Sequence, residues 1–140
     1  MLTESDIVNL LKETKKSIED GIKKDAVNLY PMREVTSLFA LIGRLKRDPK
    51  YIMYAEVFGS IASGLMRLPP DFSHFLTPDK ESVKKVLQKL PVALDDFAQA
   101  LESNPRETYG SLEKLALVAD EIRTESDKIS RRLPKEIPIE

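Results

Sequence analysis

The chain has 140 residues, enough for one domain with its own core and no need of a disulfide or metal to hold it. Lys plus Arg number 22 and Asp plus Glu 23, a net charge of −1 that argues against a general nucleic-acid binder with a strongly basic domain. There is no cysteine, which removes disulfides, thiolate catalysis and cysteine-ligated zinc. The first residues carry acids where a leader would carry basic ones, and no apolar run reaches the roughly 20 residues that span a bilayer, so a cytoplasmic protein off the membrane is expected.

Apolar residues recur at helical spacing throughout, and no segment keeps the alternation of a strand, so the expected fold is an all-α bundle of about five helices. The first helix is expected to begin near Thr3, with Ile7, Leu11, Thr14, Ile18 and Ile22 as its buried stripe. Gly21 lies inside that stripe and is expected to weaken its last turn by about 1 kcal/mol relative to Ala. The second runs from Pro31 to Arg47, with Val35, Leu38, Ile42 and Leu45 inward and Phe39 and Leu41 widening the face.

Proline marks where helices begin: Pro31, Pro49, Pro78 and Pro105 each open a periodic stretch, the first helical position needing no N–H. Asp48, Thr77 and Asn104 precede three of them as candidate N-caps. Helix three, 49–68, sets Tyr51, Tyr54, Phe58, Ile61, Leu65 and Leu68 on one face and Ala55, Gly59, Ala62, Ser63 and Gly64 on another. Apolar nearly all round, it is expected to be central, with a neighbouring backbone close to Ala55, Gly59 and Ser63.

Pro69 and Pro70 stop it, and a connector with Phe72, His74, Phe75 and Leu76 follows. Helix four, 78–103, keeps Val83, Leu87, Leu90, Leu94, Phe97 and Leu101 in phase across Pro91, which predicts one helix kinked at Pro91. The last helix, 105–132, carries Tyr109, Leu112, Leu115, Ala119, Ile122, Ser126, Ile129 and Leu133 at near-heptad steps. Its distal half is poor in apolar residues and the helix is longer than a small bundle needs, so truncation after Arg123 is expected to leave the fold intact and reduce assembly. Residues 1–133 form the domain, and 134–140 are expected to be an extended or disordered tail.

Chemistry is sparse. His74 is the only histidine and reads as a packing or turn residue, and the five glycines never cluster into a phosphate-binding loop. No catalytic residue, cofactor or metal ligand is assigned. Asp95, Asp96, Asp120, Glu121, Glu125 and Asp127 are the acids that could serve a magnesium-dependent all-α hydrolase, but interspersed cations make them read as a solvated face. Arg44, Lys46, Arg47 and Lys50, beside Tyr51 and Tyr54, form a local basic patch able to contact phosphates, as in an accessory subunit of a nucleoprotein complex. Favourable placement of cations at a helix C-terminus explains the same residues.

The leading expectation is a non-enzymatic protein-interaction or assembly module, self-association included. It rests on the long final helix and the aromatic connector, with Phe72, Phe75, Ile122, Ile129 and Leu133 as the expected interface.

Overall fold

A computed structural model describes residues 4–132 of the chain. Its helices are α1 (Glu4–Lys23), α2 (Tyr30–Lys46), α3 (Pro49–Met66), α4 (Thr77–Leu87), α5 (Lys89–Ser103) and α6 (Thr108–Arg132). A 3₁₀ turn, Pro105–Glu107, leads into α6. Among the described residues the only extended pairing is a single bridge between Ala26 and Asp71. The expected start at Thr3, the position of Leu133 and the tail 134–140 lie outside the described residues.

Five helices close a ring in which each packs on its neighbours, in the order α1, α2, α3, α6, α5 and back to α1. The seam between α1 and α2 is the least extensive, and α4 leans on α6 and α5. All five residues of the predicted α1 stripe are buried, Thr14 included, because its hydroxyl donates to the Leu10 carbonyl. At the centre, Phe39 of α2 lies 5.2 Å from Phe58 and 5.4 Å from Tyr54 of α3, while Phe97 of α5 lies 5.1 Å from Tyr54. Edge-on and tilted rings at these spacings are the favoured aromatic geometries. Helix α3 thus supplies the middle of the core, though Ile52, Met53 and Glu56 on its outer face reach solvent.

Helix starts follow the sequence in part. Asp48 caps α3 by accepting from the Lys50 N–H at 3.0 Å. Thr77 and Asn104 make no such bond, since α4 starts with Thr77 itself and the 3₁₀ turn intervenes after Asn104. The stretch 77–103 is interrupted at one residue, Gln88, whose backbone stays right-handed helical. That break precedes Pro91 because the N–H which Pro91 lacks would have bonded to the Leu87 carbonyl. All six apolar residues expected on this stripe are buried, so both arms face one core.

Small residues set the helix approaches, most closely at positions other than the run Ala55, Gly59, Ser63, of which Gly59 lies against Thr36 of α2. A Cβ on Gly43 would meet Ile52, and one on Gly64 would sit 3.0 Å from the Ile122 side chain, whereas Ser63 is exposed. Gly21 has the sharpest role. Its carbonyl accepts from the Lys24 and Ala26 N–H groups, and a Cβ there would lie 2.8 Å from the Ala26 oxygen. The glycine therefore lets the chain fold back over the helix end. Gly21→Ala is expected to destabilise by about 1–3 kcal/mol, opposite in sign to the gain of about 1 kcal/mol that helix propensity alone gives; urea unfolding measures it.

The turn-back ends at Asp25, a left-handed residue with φ 56°. Its carbonyl accepts from the Phe72 N–H, the Pro70 carbonyl accepts from Val27, and its carboxylate pairs with Lys84 and, at 3.3 Å, Lys80 of α4. One residue thus ties the α1–α2 loop, the connector and α4 together. Hydrogen bonding from Lys84, with the charge of Lys80 added, holds the Asp25 carboxyl below its usual range against the opposing effect of burial. A depressed folded-state value stabilises above the unfolded value, and that stabilisation is lost as pH falls through the folded one. Asp25→Asn, which tolerates positive φ, is expected to be less stable than wild type at neutral pH. The gap should close below about pH 4, read from paired melts across pH.

Candidate functional site

Helix α2 carries apolar residues on two faces. Met32, Val35, Phe39, Ile42 and Gly43 are buried and form the inner face. Leu38, Leu41 and Leu45, stepping by three and four, lie roughly a third of a turn away, on the side turned from Gly43 and hence from α3. Leu38 is half-buried, Leu41 is 47% exposed and Leu45 75% exposed. The expectation that Leu45 faces inward is therefore corrected, as is the widening of the core by Leu41; Phe39 does widen it. Tyr30, 69% exposed, continues the outer stripe at the start of the helix. The Glu34 carboxylate beside it holds the phenol above its ordinary value.

The stripe ends in cations. Arg44, Lys46 and Arg47 are exposed and Lys50 is half-exposed. Lys50 and Lys46 place their ammonium groups 5.2 and 5.8 Å from the centre of the Tyr51 ring, one attraction per face-on charge of roughly 0.5–1 kcal/mol. Arg47 ends α2 in the left-handed conformation, its N–H bonded to the Gly43 carbonyl. The nearest acid, Asp48, is engaged in capping α3. None of the four makes an ion pair among the described residues. Several cations elsewhere are matched, Lys12 with Glu102, Lys15 with Asp95, Arg67 with Asp127, Lys89 with Glu121 and Lys114 with Asp96, while Lys16, Lys23, Lys24, Lys85 and Lys128 also stand outside any ion pair among the described residues. What sets the four apart is that they cluster beside exposed leucines.

Tyr51 and Tyr54, expected beside the basic patch, are nearly or fully buried. Burial raises the Tyr54 phenol above its ordinary value, with Tyr109, Tyr51 and Asp48 adding to it and Thr108 opposing it. Thr108, not Tyr109, is the buried residue at the start of α6; Tyr109 is exposed.

Three of the five residues expected as an interface are not on the surface. Phe72, Ile122 and Ile129 are core residues, and Phe75 is half-buried with its ring 6.2 Å from that of Phe72. Leu133 lies outside the described residues. The distal half of α6 packs rather than protrudes. Ser126 donates towards Gly64 and Ile122 carbonyls, Arg67 holds Asp127 at 2.7 Å, and Glu125, 8% exposed, accepts from the Ser82 hydroxyl at 2.5 Å. Polar and small residues satisfy this contact, so its low apolar content misled the sequence reading.

The acids considered for magnesium are dispersed. Asp95 and Glu121 pair with lysines of other helices, Asp96 pairs with Lys114, Asp120 lies 4.0 Å from Arg123, and Glu125 and Asp127 are engaged as above. Among the described residues no three His, Asp or Glu side chains converge as metal ligands would. His74 is exposed, in the turn after Phe72. Among the described residues no helix is long and apolar enough to cross a membrane. Compared with known protein families, with curated proteins and with solved structures, the chain matches none.

Proposed function

We propose that the chain is a non-enzymatic protein-interaction module of the cytoplasm, and that its recognition surface is the outer face of α2 with the turn into α3. The observation that supports this reading is the exposed Leu41 and Leu45 ridge bordered by Arg44, Lys46 and Arg47, none of them in an ion pair among the described residues. Leaving two leucines of one helix face in water forfeits about 1.5–3 kcal/mol for each side chain that folding could have buried. Apolar surface of this kind, rimmed by charge, has the composition of protein contact sites. The setting inside the cell rests on the lack of cysteine.

A photo-reactive benzoylphenylalanine placed at Ser37, exposed beside the ridge, is expected to capture a protein in the native cell. The same group at Glu113, exposed on α6, is the control. Equal labelling from both positions, or none from Ser37, would refute the proposal.

A second reading is favoured by the same unpaired cations: contact with nucleic-acid phosphates through Arg44, Lys46, Arg47 and Lys50. If all four neutralise phosphates, affinity for an oligonucleotide should fall about a hundredfold between roughly 50 and 200 mM salt. Absence of binding at the lower salt removes this reading.

A further inference from the structure

We infer that the partner of α2 presents an acidic amphipathic helix. The inference rests on the reading of the outer α2 face as the recognition surface, and adds the chemistry of what covers it.

Spacing argues for a helix. Leu38, Leu41 and Leu45 repeat by three and four, the seam that a second helix fills knob by knob, and they run about 10 Å along the axis. Placed at the open side of α2, away from Gly43 and α3, such a helix would lie against the ring beside its least extensive seam, between α1 and α2. It would cover Leu41 and Leu45 and leave the inner face undisturbed.

Charge argues for acids on that helix. Arg33 and Arg44 border the ridge on one flank, and Lys46, Arg47 and Lys50 gather at its end. The single acid of α2, Glu34, lies near the start of the helix beside Tyr30, seven residues from Leu41 and away from the basic end. A second copy of α2 matches poorly. Laid parallel it sets Arg44 against Arg44, and laid antiparallel about Leu38 and Leu41 it brings Arg33 towards the basic end of its mate. Nucleic acid matches the cations but not the leucines. Nor does it find a stacking platform in Tyr51, a nearly buried ring already faced by Lys46 and Lys50. An acidic helix with leucines a heptad step apart answers both features.

The test uses the intact chain and a fluorescein-labelled peptide of about three heptads, with Leu at the a and d positions and Glu at e and g. A scrambled peptide of equal composition and an oligodeoxythymidylate of about 20 nucleotides serve as comparison probes. Anisotropy should show binding of the patterned peptide about tenfold or more tighter than of the scrambled one, weakening as salt rises. Leu41→Glu with Leu45→Glu should lose about tenfold or more, and Arg44→Glu with Lys46→Glu should lose affinity and flatten the salt dependence. All four positions are exposed, and thermal melts confirm that the variants stay folded.

Equal binding of both peptides, binding of the oligonucleotide in place of the peptide, or a wild-type dimer broken by Leu41→Glu would each overturn the acidic helix. Capture of a protein from Ser37 without peptide binding would sink this inference alone. Failure of that capture would sink the recognition surface with it.

Discussion

Truncation after Arg123 is expected to abolish cooperative unfolding of the chain. The cut removes Ile129, a core residue, whose loss alone costs roughly 2–5 kcal/mol by analogy with other large-to-small core changes. It also removes the buried Ser126, bonded to the α3 carbonyl of Gly64, and Glu125, the partner of Ser82 on α4. The Ser82 hydroxyl would lose its partner, the Gly64 carbonyl would keep only the Arg67 N–H, and the apolar face of α4, Val83 and Leu87, would lose a wall. Domains of this kind are stable by about 5–15 kcal/mol, so the sum is comparable with the whole. Circular dichroism on heating should show a broad, shallow loss of helix in the truncated chain. A sharp transition near that of the full chain would mean the distal half of α6 is dispensable.

The second large effect is expected at Phe39. Its ring is fully buried and touches Tyr51, Tyr54, Phe58 and Phe97, so it joins α2 to α3 and α5 at one point. Phe39→Ala removes that hub and leaves a cavity that the ring of helices cannot close without moving. The expected loss is about 3–5 kcal/mol, on the order of 10–20 °C in melting temperature for a chain of this size. Leu45→Ala, six residues on in the same helix, should change stability by less than about 0.5 kcal/mol. The contrast between the two is the informative result, because both residues are large and apolar, and periodicity alone sets Leu45 on the inward stripe and Phe39 at its margin.

That contrast shows how far the sequence could be read. Periodicity finds an apolar face but not the neighbour that covers it. In α1 there is one face, and Ile7, Leu11, Thr14, Ile18 and Ile22 all lie inside. In α2 there are two, and the choice between them was settled by Gly43 meeting α3 and Phe39 meeting α3 and α5, a tertiary fact. Proline placement was legible because its chemistry is local: the α3 start and the interruption near Pro91 both follow from a missing N–H. The α6 packing was not legible, since Glu125 and Ser126 enter the interior through hydrogen bonds that no hydrophobicity pattern records.

The candidate surface divides the same way. Arg44, Lys46, Arg47 and Lys50 were visible as a basic run, and the structure brings them together at one end of the bundle without ion-pair partners among the described residues. The leucines beside them were hidden by their own hydrophobicity, which suggested core. Phe72, Ile122 and Ile129 drew attention as aromatic or heptad residues, and proved to be the interior itself.

Urea unfolding of the Leu41→Glu, Leu45→Glu double variant tests most directly whether the outer face of α2 stands apart from the core. Two carboxylates in place of water-facing leucines should leave the unfolding free energy within about 1 kcal/mol of wild type. A loss of several kcal/mol would place those side chains in the chain's own interior and remove the recognition surface.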